Sequence, residues 1–153
     1  MLLIRTFLSE LHSWQWLGIL VARLVVGGVF FLSGRSKLFV SERREQMHQT
    51  LIEAHIPFAQ FNALSVSTVE LVFGLLLLVG GLTPIACGML SCVMLVAITT
   101  TGIRKIAASL VIDWLSEFLY LPETLYLVIL FWLFLSGPDR FSVDHLLLAR
   151  IRL

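Results

Sequence analysis

Charge is what this sequence has least of. Only 14% of its 153 residues are Asp, Glu, Lys or Arg, against roughly 25% in a soluble globular domain, too few to clothe a water-facing surface. Cysteine is nearly absent. Cys87 and Cys92 lie five apart in an apolar run and point to different faces of a helix, which argues against a disulfide between them and against a CxxC redox motif. His12, His48, His55 and His145 all fall in terminal or connecting segments, so no pair is set to hold a haem between helices. No dinucleotide or flavin fingerprint, metal-ligand spacing or Ser, His, Asp constellation is present, and a complete enzyme is not expected on this chain. A formal net charge of +1 gives no reason to expect nucleic acid as a partner.

What is abundant is hydrocarbon. Hydrophobic residues make up 58% of the chain and the mean hydropathy is +0.94, the composition of a single integral membrane domain spanning 1–153. The opening MLLIRTFLSELHSWQW carries charge on both sides of a short apolar stretch and lacks a small-residue cleavage site, so it does not read as a removable signal peptide. About 20 apolar residues cross a bilayer, and four stretches approach that length: about 16–38, 61–82, 84–102 and 121–136. The fold expected is all-α, a four-transmembrane-helix bundle with an amphipathic interfacial helix before the fourth span. GGLTP makes the second and third spans a tight antiparallel hairpin, with Pro84 in the first turn of the third.

Two connections have character of their own. Over 103–119, Ile103, Ile106, Ala107, Leu110, Val111, Trp114, Leu115 and Phe118 recur at helical spacing opposite Arg104, Lys105, Ser109, Asp113 and Glu117, which predicts the helix lying on the membrane surface. The more polar segment 41–58 is expected to cap one end of the bundle, with Met47, Leu51, His55 and Phe58 as its apolar edge and Pro57 as its stop. These connections hold Arg35, Lys37, Arg43, Arg44, Arg104 and Lys105, against Arg5, Arg140, Arg150 and Arg152 on the face of the termini. That bias vanishes once Arg35 and Lys37 are counted in the bundle, so it sets no orientation.

Charges inside the spans stand out against this background. Arg23, Gly27, Phe30, Gly34 and Lys37 form one stripe on the first span, and Ala63, Ser67, Glu70, Gly74, Leu77 and Gly81 form one on the second. Small residues on both stripes let the helices approach closely. The two faces are therefore expected to meet, with Glu70 pairing first with Arg23 and second with Lys37. Glu123, in YLPETLY, opens the fourth span and suits a helix N-terminus. Arg23, Lys37, Glu70, Glu123 and Asp113 are the candidate ligand-binding residues. Each has a plain alternative: a register-fixing ion pair for Arg23 and Glu70, capping for Glu123, and snorkelling to the interface for Lys37 and Asp113. Cys87 and Met94 share a face of the third span, where packing is a simpler role than copper(I) binding. In SGPDRFSVDHLLL, Gly137 and Pro138 stop the fourth span. Ser142 is then expected to cap a short final helix, with Asp144 in its first turn and Leu146, Leu147 and Leu148 packing it down.

The succession LVARLVVGGVFFLSGRSKLF, HIPF, VELVFGLLLLVGGLT, LPETLY and LSGPDRFSVDHLLL resembles the DoxX family of small bacterial four-helix membrane proteins, over roughly 20–148. Asp139 and Pro84 depart from the family pattern at its two turns. The resemblance implies a location in the bacterial inner membrane and a membrane subunit supporting a redox or stress-defence system, at most part of a quinone-linked oxidoreductase. It makes a quinone or similar small amphipathic molecule the expected ligand. The expected partners are the lipid bilayer, a soluble redox or metal-stress protein, and a second copy of the chain as a homo-oligomer. A non-catalytic scaffold that docks soluble redox, sulfur or metal-stress proteins is the alternative. A small transporter is weaker, since no pair of spans is broken in sequence.

Overall fold

A computed structural model of the chain describes residues 14–107, 110–137 and 142–144. Those residues are helical, without strands. α1 (Gln15–Phe39) is an apolar run without proline, and its 25 residues extend about 37 Å, more than the ~30 Å hydrocarbon core. It ends where Val40 turns extended, and the polar α2 (Ser41–Glu53) follows. α2 stops before Pro57. His55 and Phe58 then take left-handed conformations to turn the chain. Leu51 and Ala54 are buried against the bundle, whereas Phe58, expected on the apolar edge, is 84% exposed.

α3 (Ala59–Val79) ends at Gly80 in a left-handed cap, and Leu82, also left-handed, starts α4 (Thr83–Ala97) with Pro84 in its first turn. α4 continues through a π-helical turn, Ile98–Gly102, into α5 (Ile103–Lys105), so that the third apolar helix runs Thr83–Lys105. At the turn the Thr99, Thr100 and Thr101 hydroxyls all bond back to carbonyls of the preceding turn, supplying local partners where the α ladder is disturbed. α6 (Val111–Tyr120) and α7 (Pro122–Ser136) are bent 65° apart at Leu121, because the residue before a proline is pushed out of the α region.

Among the described residues, three helices, Gln15–Phe39, Ala59–Val79 and Thr83–Lys105, are long and apolar enough to cross a membrane, and α6 with α7 qualifies only as a bent pair. The surface-helix segment expected over 103–119 is divided: its first three residues complete the third apolar helix, Ile106 is extended, and a separate ten-residue helix, α6, starts at Val111. α1 packs on α3, α3 on α4, α4 on α7 and α7 back on α1. Inside this ring Leu77, Ala86, Cys87, Leu90 and Leu130 are fully buried. The outer faces remain apolar, with Val25, Leu32, Leu75, Val96, Val128 and Phe131 exposed. In lipid such a ring is held by close packing and polar contacts more than by expulsion of water.

A candidate ligand site inside the bundle

The two stripes read from the sequence do face each other. Arg23, Gly27, Phe30 and Gly34 are buried on α1, and Ala63, Ser67, Glu70, Gly74 and Leu77 on α3. Glycine sets their distance. A Cβ placed at Gly34 would lie 2.6 Å from the Ser67 carbonyl oxygen, one at Gly74 2.5 Å from the Phe31 nitrogen, and one at Gly27 2.9 Å from the Leu78 nitrogen. These contacts fix an antiparallel register in which facing residue numbers on the two helices add up to about 104.

That register decides which base meets Glu70. Lys37 faces Ser67, one turn from Glu70, and both side chains lean toward their own helix N-termini, hence toward each other. Lys37 Nζ donates to Glu70 Oε1 at 2.8 Å and Oε2 at 2.7 Å, and Ser33 Oγ donates to Oε2 at 3.0 Å. Glu70 is 3% exposed. The order of partners expected from sequence is therefore reversed. Arg23 lies 14 residues from Lys37, about 21 Å along the helix axis, and packs instead at the α3–α4 turn, where its guanidinium occupies the space a side chain at Gly80 would need.

Glu123 reaches the Lys37 end from α7. It shares with Val29, Phe30, Ser33, Lys37, Glu70, Met94, Pro122 and Tyr126 a partly open cleft of about 150 Å³. Its Oε2 is shielded from solvent without a hydrogen-bond partner, and the residue stands in the first turn of α7, as expected for an acidic group at a helix N-terminus. Phe30 and Tyr126 meet with ring centroids 5.6 Å apart and planes tilted by 60°. A second cleft, about 220 Å³, lies outside the first between α1, α2 and α3, bordered by Arg44, His48, Gln60 and Ser67. Lys37 lines both.

Asp113 is not brought to this site: it is exposed on α6. Asp144 has a different role from the one expected. Its carboxylate accepts hydrogen bonds from the backbone N–H groups of Leu82 at 2.6 Å and Thr83 at 2.7 Å, while its own N–H donates to Gly80 O at 3.1 Å. It thus caps α4 across the turn rather than serving its own helix alone. Ser142 is fully buried beside Gly80. Leu146, Leu147, Leu148, His12 and His145 lie outside the described residues. Ser33 and Tyr126 were missed from the sequence, although each follows the helical spacing: Ser33 stands four before Lys37 and Tyr126 three after Glu123.

Apolar helices around a bundle with an internal ion pair define an integral membrane protein. Within that class the chain belongs to the DoxX family, whose family model matches residues 18–103. No curated protein and no solved structure matches the chain.

Proposed function

We propose that the cleft between α1, α3, α4 and α7 receives the head group of a small amphipathic molecule, a quinone or a relative, and that the protein serves a redox or stress-defence system of the bacterial inner membrane. One observation carries this reading: Lys37, Glu70 and Glu123 converge on a cleft otherwise walled by Val29, Phe30, Met94 and Tyr126. Convergent polar groups within apolar walls are the mark of a site for a ligand with a polar head and an apolar body, and ionisable side chains inside a membrane bundle point to function. At about 150 Å³ the cleft suits one six-membered ring, since cavities of roughly that size take up benzene. Its tail would leave past Val29 and Pro122 toward lipid. In this reading α7 makes the fourth crossing and α6 lies at the membrane surface. Arg23, expected from sequence beside the head group, supports the opposite end of the bundle instead.

The test is photo-crosslinking with an azido-benzoquinone in native membranes, followed by peptide mapping. Labelling is expected within 29–37 or 122–126 and is expected to fall at least tenfold in Lys37→Ala. Labelling confined to the outer apolar faces, unchanged in the variant, would discard the reading. The scaffold alternative is favoured by α2, which exposes Glu42, Arg43, Glu45 and Gln49 outside the bundle, a charged surface suited to a soluble partner.

A further inference from the structure

The outer cleft, about 220 Å³, is closed by α2 packing against α1 and α3. Lys37, which lines it, stands in the last turn of a helix longer than the hydrocarbon core, so the cleft belongs at the boundary between lipid and water. Its walls divide by polarity. Leu38, Met47 and Leu64 supply the apolar side, and Leu64 with nearby Phe61 is exposed on the outside of α3. On the polar side the charges come in opposite pairs. Lys37 is balanced by Glu70 at 2.7 Å, and Arg44 shares the cleft with Glu45. Neither member of that second pair is saturated. Among the described residues Arg44 gives one hydrogen bond, to the Leu38 carbonyl, and a guanidinium has five N–H groups to give. Glu45 accepts from Gln49 at 2.8 Å through one oxygen and has His48 3.9 Å away on the same oxygen. A purely anionic guest would face Glu45 across the cleft, and a purely cationic one would face Arg44. A guest carrying both signs is met by both.

We infer that this outer cleft holds the head group of a zwitterionic phospholipid bearing a primary ammonium. Its phosphate accepts from Arg44, whose planar fork suits two phosphate oxygens, and its ammonium donates to Glu45. The acyl chains run past Leu64 and Phe61 into the bilayer. Basic pockets at the ends of membrane helices are recurrent head-group sites, and the carboxylate here adds a preference among head groups. A trimethylammonium has no N–H to give Glu45, and a glycerol head carries no positive charge. The site is separate from the cleft of Glu123, so it stands or falls independently of the quinone reading.

The full chain, delipidated in detergent, is titrated with phosphatidylethanolamine, phosphatidylcholine and phosphatidylglycerol of identical acyl chains, and bound lipid is counted by native mass spectrometry. The wild type is expected to bind phosphatidylethanolamine about fivefold more tightly than either of the others. Arg44→Gln is expected to weaken that binding about tenfold, the loss of a hydrogen bond from a charged donor. Glu45→Gln is expected to bring phosphatidylethanolamine to within about twofold of phosphatidylglycerol. Val128→Ala, on the outer face of α7, is expected to change none of these affinities. Equal wild-type affinities for the three lipids, or a preference that survives Glu45→Gln, would overturn the inference. Binding of water-soluble phosphoethanolamine as tightly as the lipid would overturn the assignment to a membrane lipid. The wild-type ranking and Glu45→Gln decide the matter even where Arg44→Gln, which also loses the bond to Leu38, fails to fold.

Discussion

Lys37 and Glu70 are unequal partners. The carboxylate side chain is 4% exposed, whereas the lysine side chain keeps 24%, so the lysine can reach for water at the end of α1 and the glutamate cannot. Removing the base leaves a buried carboxylate with Ser33 alone, and breaking a buried pair from one side costs about 3–5 kcal/mol. The exposure of Lys37 trims that to about 2 kcal/mol for Lys37→Met, because part of the lost attraction was already screened. The double variant Lys37→Met, Glu70→Leu removes both charges and is expected to recover most of the loss. Thermal unfolding in detergent reads both, and a double variant no more stable than the single would show that the pair is not what Glu70 depends on. A pair of this kind was legible as to Glu70 and ambiguous as to its partner. Arg23 and Lys37 occupy the same stripe, and only the longitudinal register of α1 on α3 separates them.

Among the elements, α1 and α3 form the tightest interface, and glycine backbones rather than interlocking large side chains make it so. Gly74→Leu would drive a side chain into the Phe30 and Phe31 backbone, where neither helix can yield without parting. A loss of about 3 kcal/mol is expected, the upper range for forcing bulk into a packed core. Gly18→Ala, at a helical position with open space around it, is expected to leave stability unchanged or raise it by up to about 1 kcal/mol, since alanine is the better helix former. Equal losses in the two variants would sink the close-approach account. The stripes were readable because a 3.6-residue period places Arg23, Gly27, Phe30 and Gly34 on one line. The helix breaks were less so. Nothing in ITTTG announces a π-helical turn, since threonines in an apolar run equally suit a straight helix. The division of 103–119 followed from the third apolar helix extending to Lys105, a matter of packing that local amphipathicity does not encode. Asp144 escaped for a similar reason, because its partners Leu82 and Thr83 are remote in sequence.

For the molecule as a whole, α2 and α5 lie at one end of the ring and the α3–α4 turn at the other. In a background with Cys87 and Cys92 replaced by alanine, Gln49→Cys and Arg104→Cys are expected to react with a membrane-impermeant maleimide from one side of the bilayer. Gly81→Cys is expected to react from the other, joined by Ser136→Cys if α7 crosses completely. Ser136→Cys labelled from the Gln49 side would reduce the crossings to three. The Asp144 clasp on the α3–α4 turn also has a consequence for the order of biogenesis. A ribosome delivers Leu82 and Thr83 to the membrane long before it reaches residue 144, and in that interval their amide protons depend on water or on each other's neighbours. The hairpin therefore enters the bilayer with an unfinished corner, and the late-arriving carboxylate locks it only after α7 has come alongside α4. Maturation of the first half of the chain is in this way made conditional on delivery of the second.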